Sequence, residues 1–308
     1  MLEKLYRQTV LGIANNPAIA SFAQKQGWDL GVRRFVAGET LEEAVTALHA
    51  IEAEGKYPIL DLLGEHVDTQ EGASLTTDQV VATLDYLETT TLSRYMSIKP
   101  SQLGLGLSTK LAMENAWLIA ERAKEMNAHI CLDMENYPYV DGTLELHHYL
   151  FEGGYHNVST VLQSYLRRSM NDLRELLTLK PRPTLRIVKG AYKESEEVAY
   201  QDKTTVDKHF LDMVFMGLEA GAHINIATHD EAIINTLKAF IFETGAKKDS
   251  YEFQLLYGVK PKLQQALVDE GYCVRIYVPY GEDWYGYFSR RLAERPANLL
   301  FVLQGLRG

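Results

Sequence analysis

The sequence is short of positive charge. Its 31 lysine and arginine residues are outnumbered by 41 aspartate and glutamate residues, so the formal net charge is −10 at pH 7. A protein that binds nucleic acid needs a broad basic face, and this balance argues against nucleic acid as a partner. The adjacent arginines near the C-terminus must therefore serve a local purpose rather than belong to a basic surface.

Cysteine is scarce, and no apolar run is long. The two cysteines, Cys131 and Cys273, lie inside the apolar runs "HICLDM" and "YCVRIYV", where a free thiol usually behaves as a small buried hydrophobe. A disulfide framework is not indicated. Residues 1–16 mix charged and apolar side chains, unlike a secretory signal, and no run reaches the roughly 20 residues that span a bilayer. We therefore expect a protein of a reducing compartment, located in the cytoplasm.

Several motifs of catalysis are missing. "LGLGLSTK" at 103–110 resembles a Gly-rich phosphate loop but fits neither the dinucleotide nor the Walker pattern, so we interpret Ser108 or Thr109 as a helix cap. His147 and His148 are neighbours in a helical stretch, where adjacent side chains cannot easily share a metal. There is no H-E-x-x-H motif and no G-x-S-x-G motif. We expect no metal site, and nucleophilic hydrolysis is disfavoured.

What is present is a regular alternation of short apolar runs with amphipathic stretches. The chain has 308 residues with 46% hydrophobic content, which is ample for a large core. About eight strand–helix repeats in this length favour an α/β fold with a closed (β/α)₈ barrel of the TIM type. We predict a barrel over 57–308, preceded by helices in 1–56 that pack on it. The predicted strands are 57–65, 95–101, 129–136, 157–164, 184–192, 223–230, 251–258 and 273–281.

Polar residues follow the predicted strands, and barrel enzymes work at the C-terminal ends of their strands. Lys99 directly follows "MSI", and Arg186 lies between Leu185 and Ile187. Burying either cation is costly without an anionic partner, so we interpret them as facing an anionic ligand. A polar rim is expected of any barrel, and solvated loop residues are the alternative interpretation. The other strand-end residues are Asp133, Glu135, Gln163, Lys189, Thr228, His229, Gln254, Tyr277 and Tyr280. The role of Glu65 and His66, in "GEH" after the first strand, is left open.

The stretch "YFSRRLAERPAN" at 287–298 follows the eighth predicted strand. Arg290 and Arg291 lie about 100° apart on a helix, with Tyr287 one turn before them and Glu294 one turn after. Two planar guanidinium groups near the barrel mouth are suited to hold a carboxylate bidentately. An exposed helix face with Arg290–Glu294 pairing explains the segment equally well by itself.

With Lys99, the segments "LRIVKGAY", "NIATHD", "YEFQLLYG", "RIYVPYG" and "YGYFSRRLAERPAN" occur in order, and together they resemble the proline dehydrogenase family. The resemblance covers about residues 57–302 and implies a flavin-dependent barrel. It implies oxidation of L-proline to 1-pyrroline-5-carboxylate by hydride transfer to FAD, the first step of proline catabolism to glutamate. The electrons would pass to a quinone, with peripheral contact at the inner face of the membrane. The short loop "YVPYGEDWYGYF" points to the monofunctional branch of the family.

The resemblance also implies roles for individual residues. Arg290, Arg291 and Lys99 would hold the proline carboxylate. Tyr277, Tyr287 and Leu256 would wall the ring, while Asp133 and Tyr192 would order the site. The residues implied to contact FAD are Met134, Gln163, Arg186, Val188, Lys189, Gly190, Ala191, Thr228, His229, Gln254 and Glu294.

Two rival interpretations remain open from the sequence. Lys189, one residue past an apolar strand, suits the Schiff-base lysine of an aldolase-type lyase. This alternative leaves the arginine pair and "NIATHD" without a role, and it rests on the wide range of chemistries that the barrel fold supports. A binding barrel without catalytic activity is the third possibility.

Overall fold

The computed structural model describes residues 31–64 and 67–294, together with five isolated positions before residue 31 and with the backbone only of Glu294. Its centre is a closed barrel in which β1 to β8 follow one another in chain order and every neighbouring pair is parallel. The barrel closes between β1 and β8, where Ile59 lies beside Tyr277. The predicted TIM-type fold is thereby confirmed. The strands are β1 (Tyr57–Leu62), β2 (Tyr95–Ile98), β3 (His129–Leu132), β4 (Val158–Gln163), β5 (Thr184–Val188), β6 (His223–Ala227), β7 (Tyr251–Leu256) and β8 (Val274–Tyr280).

In the described ranges an α-helix follows each strand, and a 3-10 helix (Val32–Arg34) and one α-helix precede β1. Three of the helix starts show why the chain turns there, because the side chains of Thr69, Ser108 and Asp230 accept hydrogen bonds from the first helical turn. The cap at Ser108 was predicted. The helices are α1 (Leu41–Ala53), α2 (Gln70–Glu88), α3 (Thr109–Glu125), α4 (Val140–Glu152), α5 (Ser169–Leu176), α6 (Lys203–Glu219), α7 (Glu231–Thr244), α8 (Pro261–Asp269) and α9 (Trp284–Glu294).

Strand alternation divides the core into two layers. Outward residues such as Leu60 and Leu132 pack against the helices, whereas inward residues such as Ile59 and Cys131 form a separate cluster. Because successive strand residues face opposite sides, Arg186 is buried inside the barrel while its apolar neighbours pack with the outer layer. The barrel interior is thus apolar in part and strongly polar toward its C-terminal end.

The segment before β1 packs on the helix that carries the arginine pair. Phe35 is buried, and its ring centroid lies 6.2 Å from that of Phe288 on α9. Glu39 accepts hydrogen bonds from the indole nitrogens of Trp28 at 2.8 Å and Trp284 at 2.9 Å. Most of residues 1–30 lie outside the described part of the chain, so the predicted helical segment 1–56 is described only in part. No helix within the described ranges is long and apolar enough to cross a membrane.

Candidate active site

A cavity of about 680 Å³ lies at the C-terminal ends of the strands, within the range of roughly 300–1,000 Å³ that is typical of ligand sites. The barrel brings together nearly all residues singled out from the sequence, although they are spread over more than 190 positions, from Lys99 to Arg291. Glu65, His66 and the side chain of Glu294 lie outside the described residues. The predicted site residues in the cavity wall are Lys99, Asp133, Met134, Gln163, Arg186, Val188, Lys189, Gly190, Ala191, Tyr192, Thr228, His229, Gln254, Leu256, Tyr277, Tyr287, Arg290 and Arg291.

Arg186 is the central cation of the cavity floor. Its side chain is only 4% exposed, and its Nη1 donates to Asp133 Oδ1 at 2.7 Å and to Ser97 Oγ at 3.0 Å. Its Nε donates to Gln254 Oε1 at 2.6 Å. Such an enclosed set of bonds fixes the plane of the guanidinium group.

The hydroxyl of Tyr277 donates to Asp133 Oδ2 at 2.6 Å. Burial, followed by the negative charges of Asp133 and Asp61, raises the pKa of Tyr277 well above its usual value. The phenol therefore stays protonated and acts as a donor across the physiological range. Tyr280, which sequence reasoning grouped with Tyr277, points the other way, and its hydroxyl lies 2.7 Å from Thr83 Oγ1 on α2.

Lys99 pairs with a carboxylate that sequence reasoning missed. Its Nζ lies 2.6 Å from Asp61 Oδ1, and the Asp61 side chain is only 1% exposed. Burial favours the neutral amine, but the carboxylates of Asp61 and Asp133 outweigh it and raise the pKa of Lys99. Lys99 and Arg186 thus both have carboxylate partners inside the barrel, so their burial does not by itself indicate an anionic ligand, and that interpretation stays a prediction. The carboxylate in the apolar run "ILDLL" was the signal that could have identified Asp61.

The arginine pair on α9 reaches the cavity with both of its side chains. Arg290 is exposed, whereas Arg291 is 8% exposed and its guanidinium carbon lies 4.9 Å from the ring centroid of Tyr287. Burial of Arg291 rules out a wholly solvated helix face. Within the described residues Arg290 forms no ion pair, so it is available to a ligand in the cavity.

The segment after β5 forms one side of the cavity. Lys189 Nζ lies 2.5 Å from Asp207 Oδ1 and 2.8 Å from Asp230 Oδ2, and Lys203 contacts the same two carboxylates. A Schiff-base lysine must present its nitrogen to a carbonyl substrate, but the Lys189 nitrogen is engaged by two carboxylates. The arrangement therefore disfavours the aldolase interpretation.

Polar atoms without a hydrogen-bond partner among the described residues occur in the cavity lining. They include Arg186 Nη2, a donor, and two acceptors, Gln163 Oε1 and Asp61 Oδ2. Gln163 is otherwise held by its Nε2, which donates to the carbonyl oxygens of Met134 and Glu135 at 3.3 Å. Buried polar groups are normally satisfied, so the wall offers a donor and an acceptor to a bound molecule. No cluster of metal-ligating side chains occurs in the part of the chain that the structure describes.

Comparisons with known proteins agree with the geometry. The model of a family described as proline dehydrogenase matches residues 44–304. Proline dehydrogenase of Deinococcus radiodurans is 46% identical over 310 residues, which cover 99% of each chain. Proline dehydrogenase 1 of Bacillus subtilis is 38% identical over 98% of this chain and 99% of its own.

The fold also has a counterpart among solved structures. The crystal structure of proline utilization A (PutA) from Bdellovibrio bacteriovorus, inactivated by N-propargylglycine, superimposes with a TM-score of 0.81 at 22% identity. The match covers 94% of this chain and 36% of that one. At this level of identity the likeness supports the barrel fold alone.

Proposed function

Because the chain belongs to the proline dehydrogenase family and is an enzyme, we propose that it oxidises L-proline to 1-pyrroline-5-carboxylate with FAD as its cofactor. The observation that carries the proposal is the convergence of Arg290, Arg291 and Lys99 on one cavity at the barrel mouth. A small amino acid offers a carboxylate to such a group of cations. The relatives from Deinococcus and Bacillus are named proline dehydrogenases, and the alignments cover nearly their whole length.

The carboxylate is held by the two guanidinium groups of α9 and by the ammonium of Lys99. A planar fork fixes the orientation of a carboxylate as well as its position. Tyr277, Tyr287 and Leu256 form apolar walls around the pyrrolidine ring, and Asp133 and Tyr192 order the site. Holding the substrate still and excluding water are the main contributions of these side chains.

The cavity residues fit a flavin. The unpartnered donor on Arg186 and acceptor on Gln163 complement a planar heterocycle that carries both acceptors and donors. When bound, the flavin supplies an acceptor for the hydride that leaves the carbon next to the proline nitrogen. The residues proposed to hold FAD are Met134, Gln163, Arg186, Val188, Lys189, Gly190, Ala191, Thr228, His229, Gln254 and Glu294.

The hydrogen bond between Tyr277 and Asp133 keeps the phenol proton in a fixed position beside the pyrrolidine ring. The phenol proton lies on the Tyr277 oxygen and points to Asp133 Oδ2, while Arg186 and Ser97 satisfy Oδ1 of the same carboxylate. Neither group needs to move when the ligand binds. This preorganisation keeps the polar floor of the cavity rigid without competing for the substrate carboxylate.

We propose further that a quinone receives the electrons, and that the enzyme acts from the cytoplasm in peripheral contact with the inner face of the membrane. The support is the family resemblance of the chain. The test is whether purified protein reduces a soluble ubiquinone analogue at the expense of proline. Activity with an artificial dye but none with any quinone analogue contradicts this part of the proposal.

One experiment tests cofactor and substrate together. An absorbance scan of the purified protein, taken without oxygen before and after the addition of L-proline, should show a flavin band that bleaches. Glycine serves as the control, because it has the carboxylate but no ring. A protein without a flavin band overturns the cofactor assignment, and a band that proline does not bleach overturns the substrate. Trapping of a substrate on Lys189 by borohydride supports the lyase instead.

A further inference from the structure

A chain of hydrogen-bonded side chains continues below the cavity, toward the opposite end of the barrel. Gln254 Nε2 donates to Glu252 Oε1 at 2.6 Å, and Arg275 Nε donates to both Glu252 oxygens at 2.9 and 3.0 Å. Glu252 is 4% exposed. Neither Glu252 nor Arg275 lines the cavity, so the site as described so far gives them no role.

The two neighbours of Gln254 determine how its amide is oriented. Glu252 is an ionised carboxylate and only accepts hydrogen bonds, whereas Arg186 only donates them. The amide nitrogen must therefore face Glu252, and the amide oxygen must face Arg186, to which it is bonded at 2.6 Å. The flipped orientation would place two donors against each other at Arg186 and two acceptors against each other at Glu252.

The charge of Glu252 is maintained by Arg275, on the side away from the cavity. Burial opposes ionisation, but the adjacent guanidinium of Arg275 outweighs it and lowers the pKa of Glu252. Arg275 is itself held by Ser93 Oγ at 3.0 Å, and its guanidinium carbon lies 4.8 Å from the ring centroid of Tyr95. The lower end of the hydrogen-bonded chain is thus anchored at the start of β2.

We propose that Glu252 is a positioning residue for the active site: acting through Gln254, it fixes the guanidinium of Arg186 and with it the unpartnered Nη2 that receives the cofactor. The inference rests on the proposed function, since it concerns how the flavin is held. Residues at the lower end of a barrel usually contribute to stability alone. Here a continuous run of hydrogen bonds leads from Arg275 through Glu252 to Asp133, so the Glu252 carboxylate helps to determine the geometry of the cavity floor.

Two substitutions separate positioning from simple stabilisation. Glu252→Gln keeps an acceptor oxygen at the place of Oε1, which already accepts from both Gln254 and Arg275, but it removes the charge. Glu252→Asp keeps the charge for Arg275, but the side chain is one methylene shorter and no longer reaches Gln254. If the Glu252–Arg275 ion pair is purely structural, Glu252→Asp should disturb flavin binding less than Glu252→Gln. If Glu252 positions Gln254, Glu252→Gln should disturb flavin binding less.

The measurement is the rate at which flavin leaves the purified holoprotein, followed by the recovery of flavin fluorescence after dilution. Glu252→Asp should release flavin on the order of tenfold faster than wild type, the effect of losing one buried hydrogen bond to a charged group. Flavin release from Glu252→Gln should stay within about threefold of the wild-type rate. Asp172→Asn is the matched control, because Asp172 is a buried carboxylate paired with Arg168 and lies away from the cavity. It should lower the melting temperature without changing flavin release.

The outcomes distinguish the two proposals. Wild-type protein that carries no flavin overturns the proposed function and this inference together. Flavin release from Glu252→Asp at the wild-type rate, or release rates that follow the melting temperatures of all three variants, overturns only the positioning role. If Glu252→Asp does not purify, Glu252→Gln takes its place as the test. In that case, a Glu252→Gln variant whose flavin release rate rises in step with its loss of melting temperature overturns the inference equally.

Discussion

The cations of the cavity differ in what satisfies their charge, and this difference determines what each can bind. Lys99 and Arg186 are paired with Asp61 and Asp133 inside the barrel. Arg290 is exposed and forms no ion pair within the described residues. A ligand carboxylate therefore meets the least competition at Arg290, whereas at Lys99 it must share the ammonium with Asp61.

Replacement of either α9 arginine by lysine should weaken substrate binding far more than cofactor binding. A point charge cannot reproduce the two parallel hydrogen bonds of a guanidinium fork, and a hydrogen bond to a charged group contributes about 1.5–3 kcal/mol. We expect Arg291→Lys and Arg290→Lys each to raise the KM for proline by roughly 10–100-fold, with unchanged flavin content. Arg174→Lys, on the exposed face of α5, is the control. Equal losses of proline and flavin affinity contradict the assignment.

Asp61→Asn should damage both stability and substrate binding. Lys99 keeps its charge in a largely buried place but loses the carboxylate at 2.6 Å, and removing one partner of a buried pair costs about 3 kcal/mol. We expect a lower free energy of unfolding, measured in urea, and a higher KM for proline because the ammonium moves.

A second variant tells the two effects apart. Asp61→Asn combined with Lys99→Met leaves no uncompensated charge, so stability should largely return while the KM stays high. If the double variant recovers normal kinetics, Lys99 takes no part in substrate binding.

At the scale of elements, the segment after β5 is shaped by a glycine under an aromatic ring. Gly190 has a φ of +114°, and a Cβ there would lie 2.1 Å from Cδ1 of Tyr165. The backbones of the two segments are also joined, because Tyr165 N donates to Lys189 O at 2.9 Å. The role of Gly190 as an FAD contact remains a prediction, but packing against Tyr165 is sufficient to require glycine.

Gly190→Ala should be much more harmful than a matched change elsewhere. Gly221 also has a positive φ, +78°, but no atom lies within 4 Å of the place its Cβ would occupy. Gly221→Ala therefore measures backbone strain alone, about 1–2 kcal/mol. Gly190→Ala adds displacement of a buried ring and should lose more than this in urea unfolding, together with bound flavin. Equal destabilisation by the two substitutions contradicts the packing argument.

At the scale of the molecule, the local pattern of the sequence predicted the barrel, because each strand–helix repeat carries its own period and several carry a side-chain helix cap. The strand ends also predicted the wall of the cavity, since parallel strands bring their C-terminal ends to one face. What could not be predicted is the pairing of side chains from different strands. Asp61 and Lys99 are 38 positions apart, and Arg186 and Gln254 are 68 apart, so only the assembled sheet makes them neighbours.

Packing of the folded chain also buries histidines, and these make the fold sensitive to acid. His147, on α4, is 0% exposed, and burial lowers its pKa to about 4. In an unfolded chain the ring takes up a proton below about pH 6.5. Because the unfolded state then binds more protons than the folded state, stability falls as the pH drops from about 6.5 toward 4, by up to about 3 kcal/mol. His129, with its pKa lowered by burial to about 3, acts in the same direction.

His147→Leu should remove one of these contributions. Between about pH 7 and pH 5, the free energy of unfolding of the variant should decline by about 2 kcal/mol less than that of the wild type. Urea unfolding at both pH values is the measurement, and the comparison of slopes cancels any packing loss that is the same at each pH. Carboxylates such as Asp230, whose pKa is lowered by its two lysine partners despite burial, lose their contribution only at lower pH. They therefore do not obscure the histidine effect in this window, and an identical decline in both proteins would show that His147 is protonated while folded.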